Sequence, residues 1–235
     1  FYLSTVLRLK TVSLNDYLIF LHKIARRAVK QRTIKRDPFA GYKLESVPVN
    51  HRYLTGEQFA KLTGVELPTY RLCHARDLFV FSTFTGLGRA DLANLTSENI
   101  VTEPDGSRWI HIERQKTKAE CHIKLLDIPS RIIDKYKGEG KDGKLFFVPA
   151  TSSLCRSLKM IEEQCKLGCH LTFYMARHSF ATLICLGNGV PIETISRMMG
   201  HSSIRTTQIY AEITNQKVNR DLLRLADTTK NQYSL

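Results

Sequence analysis

Apolar residues recur at helical spacing along most of the chain. Ser13 reads as an N-cap, and Leu14, Tyr17, Leu18, Leu21, Ile24, Ala25 and Ala28 keep to one face of the helix that follows. Asp37-Pro38 and Val47-Pro48 interrupt the pattern, so 36–50 reads as a linker. Thr55-x-x-Gln58 is a capping-box signal that opens a second run of helices. One helix is predicted over Arg71–Phe84, with Leu72, Ala75, Leu78, Phe79, Phe81 and Ser82 on its inner face, and another over Arg89–Leu95. Between 99 and 128 the period shortens. Trp109–Ile112 and Cys121–Leu126 flank a polar stretch, which predicts a β-hairpin or small antiparallel sheet. Helical spacing returns at Ser130–Tyr136, Ser153–Cys165 and Thr172–Leu186, the last with Thr172 as N-cap and Gly187 as C-cap. It continues at Ile192–Met199, stopped by Gly200, and at Ser203–Ile213. The expected fold is mainly α with a small antiparallel β-sheet, an α+β arrangement.

Charge changes this picture most in the first fifth of the chain. The 235 residues carry 35 Lys and Arg against 22 Asp and Glu, a net +13. Residues 1–45 alone hold ten of those cations against Asp16, Asp37 and Glu45. Lys23, Arg26, Arg27 and Lys30 share the polar face of the first predicted helix, which fits a helix lying along phosphates. A surplus of this size favours a polyanion partner. No run of 18 apolar residues is present, so a spanning helix is excluded. The opening FYLSTVLRLK lacks the order of a signal peptide. The six cysteines are irregularly spaced and read as reduced structural thiols of a cytoplasmic protein. Cys165, Cys169 and His170 lack a second ligand pair, so no metal site is expected there. Residues 1–45 are read as a basic helical segment, followed by the linker to about 50. Residues 51–225 are read as a second domain, and 226–235 as a tail.

The chemistry concentrates between Leu171 and Tyr210. Tyr174-Met-Ala-Arg177-His178 is followed by Met199-Gly200-His201-Ser202, and then by Thr206-Thr207-Gln-Ile-Tyr210. Upstream stand Thr85-Gly86-Leu87, Asp91-Leu92 and Arg114-Gln-Lys116-Thr. Together these boxes resemble the tyrosine recombinase (phage integrase) family and are similar to those of integrases of conjugative and mobilizable transposons. The resemblance covers about 50–225 and extends weakly to 1–45, which look like the C-terminal part of the family's helical core-type DNA-binding domain.

The resemblance implies a site-specific DNA recombinase of a mobile element, with Tyr210 as nucleophile and a 3′-phosphotyrosyl intermediate. Its partner would be double-stranded DNA bound by a homotetramer that exchanges C-terminal tails. No cofactor, ATP or metal is implied. The residue types suit that chemistry. A phenol is a weak nucleophile at its free pKa, and attack on a phosphodiester builds charge on the non-bridging oxygens. The Arg177 fork can grip two of those oxygens. His201 can donate to another oxygen or take the phenol proton, and Lys116 can protonate the leaving 5′ oxygen. His178 reads as a packing residue. A type IB topoisomerase would use nearly the same groups, and a catalytically impaired DNA-binding module is the alternative from another class.

Two positions depart from the family's pattern. An arginine is expected directly after Thr85-Gly86-Leu87, where this chain has Gly88. Arg89 stands one residue later, turned about 100° around a helix. Arg114 stands two residues before Lys116 on an extended strand, so both would face one side. Arg114 is the preferred replacement and Arg89 the rival. Tyr174 also occupies the family's usual His, so proton handling should lean on His201 and Lys116.

Overall fold

A computed structural model describes residues 5–45, 53–115, 117–210, 222–223 and 225–226. The chain divides into two compact units, 1–50 and 51–235.

In the first unit, helix α1 spans Thr11–Lys30. It begins two residues before Ser13, and Lys10 is its N-cap with no side-chain capping bond. Lys23, Arg26, Arg27 and Lys30 are exposed. Of the expected inner face only Ala25 is buried, while Tyr17, Leu21 and Ile24 are exposed. The apolar stripe has the predicted period, but this unit is too small to cover it. His22 stacks on Phe39 with ring centroids 5.1 Å apart.

The second unit is built around one nearly enclosed helix. The predicted capping box opens α2 (Gly56–Gly64), where the Thr55 hydroxyl accepts from the Gln58 backbone and the Gln58 side chain accepts from the Thr55 N–H. Helix α3 (Tyr70–Thr85) is buried on more than the single face expected, because α5 (Asp127–Lys135), α6 (Thr151–Cys165) and α7 (Phe173–Ser179) all pack against it. The hydroxyls of Thr83 and Thr85 on this buried helix donate to carbonyls one turn back, at 2.9 and 2.8 Å. Gly86 ends α3 in the left-handed region at φ 68°. A Cβ there would come within 2.5 Å of the Phe180 ring.

Helix α4 (Arg89–Asn94) leads into a three-stranded antiparallel sheet of β1 (Ile100–Thr102), β2 (Arg108–Glu113) and β3 (Glu120–Lys124). Ile110, Cys121 and Ile123 are buried, while the His111 and His122 rung lies on the opposite face. Residues 114–119 join β2 to β3, closed by a hydrogen bond from the Arg114 N–H to the Ala119 carbonyl at 2.9 Å.

The stretch predicted as one helix over Thr172–Leu186 is not uniform. After α7, residues Phe180–Cys185 take π-helical bonding and Leu186–Asn188 a 3-10 turn. The left-handed stop is Gly189 at φ 84°, not Gly187. Helix α8 (Ile192–Met198) ends at Gly200, whose φ is 63°. A short α9 (Arg205–Gln208) precedes Tyr210, and the rest of the predicted Ser203–Ile213 helix lies outside the described residues. Among the described residues no helix is long and apolar enough to cross a membrane.

Candidate active site

Four separate elements deliver the site: the α3–α4 turn, the β2–β3 connection, α7 and the segment from Gly200 to Tyr210. Arg177 on α7 holds them together. Its Nη1 donates to the Gly86 carbonyl that the α3 terminus leaves open. Its Nη2 donates to the Met199 carbonyl at 2.8 Å and to His201 Nε2 at 2.9 Å. A guanidinium cannot accept, so His201 Nε2 must be the unprotonated nitrogen. The imidazole proton therefore sits on Nδ1, which donates to the Thr207 hydroxyl at 2.8 Å. Burial, then the charges of Arg177 and Arg114, hold the His201 pKa down to about 4. The ring is neutral at pH 7, and its Nε2 lone pair accepts from Arg177.

Tyr210 lies within this cluster. It is 3% exposed and packs with Phe180, Ala181, Ile195 and Met199. Its ring stacks parallel to His201 at 6.1 Å and meets His178 edge-on at 4.7 Å. Burial, together with hydrogen bonding to Tyr174, pushes the phenol up to about 12, while Arg177 pulls it the other way. Tyr174 is 60% exposed and leans on His178 with centroids 4.5 Å apart. His178 is buried between these two tyrosines, in keeping with a packing role.

Arg114 and Arg89 go to different places. Arg89 is partly buried and donates from Nη1 to the Pro149 carbonyl at 3.3 Å. Arg114 is 6% exposed and pairs with Asp91 at 3.3 Å, while its Nη1 has no hydrogen-bond partner among the described residues. Burial and the nearby charge of Arg177 lower its pKa, against the opposing pull of Asp91. The other Asp91 oxygen accepts from the Gln115 N–H at 3.0 Å, so one carboxylate fixes both the side chain and the turn that follows it. Lys116 lies outside the described residues. Its neighbour Thr117 donates from its hydroxyl to the Gly200 carbonyl at 3.0 Å, so this turn lies against the residue before His201.

Three further residues shape the site, and sequence reasoning gave them no part in it. Thr207 is fully buried behind His201. Its only signal is its place three residues before Tyr210. Gly200 read as a helix stop, but a Cβ there would stand 2.6 Å from both Arg114 Cγ and Cys121 Sγ. Cys121 is the buried floor beneath them.

Comparison with known proteins identifies the family and the fold. The phage integrase family model matches residues 52–217. The tyrosine recombinase XerA of Saccharolobus solfataricus is 28% identical over 149 residues, covering 63% of this chain and 49% of that protein. The XerA of Thermococcus onnurineus is 28% identical over 180 residues, 71% of this chain and 60% of that protein. The chain thus spans about half to three fifths of the length of these two relatives. Among solved structures, the XerH site-specific recombinase in a post-cleavage complex with difH substrate superposes with a TM-score of 0.72 at 20% identity. That match covers 94% of this chain and 69% of the other. The Tn1549 transposon integrase in complex with transposon right end DNA gives 0.71 at 18% identity, with 95% and 82% covered. At these identities the likeness is one of fold. The family match, over boxes that converge on one buried tyrosine, places the chain in the phage integrase family of tyrosine recombinases.

Proposed function

We propose that this chain cuts and rejoins DNA at specific sites for a mobile element, through a covalent 3′-phosphotyrosyl intermediate on Tyr210. The observation that carries the proposal is the convergence of Tyr210, Arg177, His201 and the buried, half-paired Arg114. Arg177 and the open Nη1 of Arg114 bind the non-bridging oxygens of the scissile phosphate. The phenol oxygen of Tyr210 attacks phosphorus and the 5′ oxygen leaves. The phenol proton passes to His201 Nε2, whose lone pair is freed as Arg177 turns to the phosphate, and Lys116 protonates the departing 5′ oxygen. The phosphodiester energy is kept in the new ester, so rejoining needs no other energy source. Tyr174, already bonded to Tyr210, holds the phenol until DNA arrives and then donates to phosphate. Arg89 is assigned no contact with phosphate.

Residues 1–45 are the end of a core-type DNA-binding domain in this proposal, and Lys23, Arg26, Arg27 and Lys30 lie along the backbone of double-stranded DNA. The active assembly is a tetramer on DNA, with residues 226–235 as the exchanged tail. The test is a nicked duplex carrying the cognate site. Wild-type protein should be trapped as a covalent adduct, and Tyr210→Phe should form none. An adduct that survives this substitution overturns the assignment. Relaxation of any supercoiled plasmid would instead favour a topoisomerase.

A further inference from the structure

The exposed face of the sheet carries a pair of groups that the strand-cutting site does not use. Antiparallel register places His111 of β2 directly opposite His122 of β3. Their ring centroids are 4.3 Å apart and the planes are tilted by 41°. Among the described residues neither imidazole has a hydrogen-bond or ion-pair partner. The rung on one side is also unusual, because Glu113 stands opposite Glu120. Like charges directly across a sheet destabilise it. Lys118 pairs with Glu113 at 3.2 Å, while Glu120 has no ion pair among the described residues. On the other side Lys124 lies over the Trp109 ring at 5.6 Å. The two histidines also form one wall of an open cleft that Glu103 and Asp105 help to line.

We propose that His111 and His122 form a two-histidine binding site for a borderline divalent transition ion such as Zn²⁺ or Cu²⁺, clamping β2 to β3. Imidazole nitrogen is a preferred ligand for these ions. Tetrahedral bonds of about 2.0–2.1 Å set two ligand nitrogens roughly 3.3 Å apart. Ring centroids 4.3 Å apart on one rung bring the two imidazoles within the span of a single ion. Each imidazole donates a nitrogen lone pair, and water completes the shell. Among the described residues no group of three or more His, Cys, Asp or Glu converges on one point, so the two rings supply the protein ligands and the nearby carboxylates supply the field. Strand pairing does the organising that a longer ligand set does elsewhere. The clamp sits two residues from Glu113 and three from Arg114, at the base of the 114–119 connection.

The experiment is a calorimetric titration of the full chain with Zn²⁺ alone, repeated with Cu²⁺ and followed by its visible absorption. Wild-type protein should bind one ion saturably and should melt several degrees higher with the ion in excess. His111→Gln and His122→Gln should each weaken binding at least tenfold, and the double variant should lose this site. His122 is exposed and His111 half-buried, so the variants should fold, as circular dichroism would check. If the double variant does not fold, the His122→Gln titration decides. No saturable binding by wild type, or equal affinity in the variants, overturns the proposal.

Discussion

Replacing Thr207 by Val tests the hydrogen-bond logic of the site most sharply. The substitution keeps the shape of a fully buried side chain and removes the one acceptor for His201 Nδ1–H. Two responses are open to the ring. It can keep its proton on Nδ1 and bury an unpaired N–H, or it can move the proton to Nε2, where it would face an Arg177 N–H across 2.9 Å. Both leave a donor unsatisfied, at a cost of about 1–3 kcal/mol. For a unit of this size that is a fall in Tm of roughly 2–12 °C. Stability alone cannot separate a positioning role from simple packing, so Thr207→Ser serves as the comparison. It loses a methyl group, about 1 kcal/mol, but keeps the acceptor. Nitrogen-15 NMR of the ring should show the Nδ1–H tautomer in wild type and Thr207→Ser, and a disturbed tautomer in Thr207→Val. Trapping on nicked DNA should be near wild type for Ser and at least tenfold slower for Val. A Val variant with the wild-type tautomer and the wild-type trapping rate would overturn the positioning role of Thr207.

Other consequences follow from the same geometry. Arg114→Ala should slow adduct formation by about 10²–10³-fold, the usual loss for one oxyanion donor, while Arg89→Ala should change it less than tenfold; the reverse order, measured on one substrate, would return the role to Arg89. Gly200→Ala forces a Cβ against Arg114 and Cys121 at φ 63°, combining a left-handed penalty of about 1–2 kcal/mol with overpacking of about 1–3 kcal/mol, so urea unfolding should show a loss of several kcal/mol. Asp77 is buried and accepts from Arg76 at 3.0 Å, Lys135 at 2.6 Å and Tyr136 at 2.8 Å, so Asp77→Leu should destabilise by about 3–5 kcal/mol in the same assay. His201 has a folded pKa of about 4 against an unfolded value near 6.5. The unfolded chain therefore takes up the proton first, and stability should fall as pH drops from about 6.5 to about 4. His201→Gln should flatten that part of the urea-midpoint profile, and parallel profiles would contradict the assignment.

The parts that were legible in the sequence depend on local spacing. The Thr55–Gln58 box, the antiparallel sheet and the spacings from Arg177 to His201 and Tyr210 are patterns of chain position. Other features depend on what the chain meets after folding. The choice between Arg89 and Arg114 turns on which guanidinium finds Asp91 and which finds the Pro149 carbonyl. Both partners are distant in sequence or on another element. The period of α1 was visible, but not that Tyr17, Leu21 and Ile24 lie exposed within their own unit. The 172–186 stretch has helical spacing throughout, yet its bonding widens at Phe180, whose ring fills the space beneath Gly86. The facing of His111 and His122 is a matter of strand register, and a one-residue slip would have separated them.

On the proposed function, the acid–base pair of the resting pocket is mismatched. Burial holds the phenol up near 12 and, with two guanidinium groups, holds the imidazole down near 4, so the proton does not pass between them before DNA arrives. The depression of His201 comes from burial and from two guanidinium groups, and in this proposal a DNA phosphate offsets the second cause. One negative charge about 4 Å away is worth about 4 kcal/mol at an effective dielectric of 20. At about 1.4 kcal/mol per pH unit, that carries the imidazole from about 4 to the neutral range. The same charge pushes the phenol further up, so its proton leaves only as the oxygen–phosphorus bond forms. On the proposed function, the substrate therefore switches on the base that cuts it, and solvent meets an inactive pocket. Tyr210→Phe protein can bind DNA without cutting it, so its His201 titration by NMR isolates this effect. The imidazole should titrate at least two pH units higher with the duplex bound. An unchanged His201 titration would mean that the proton goes elsewhere.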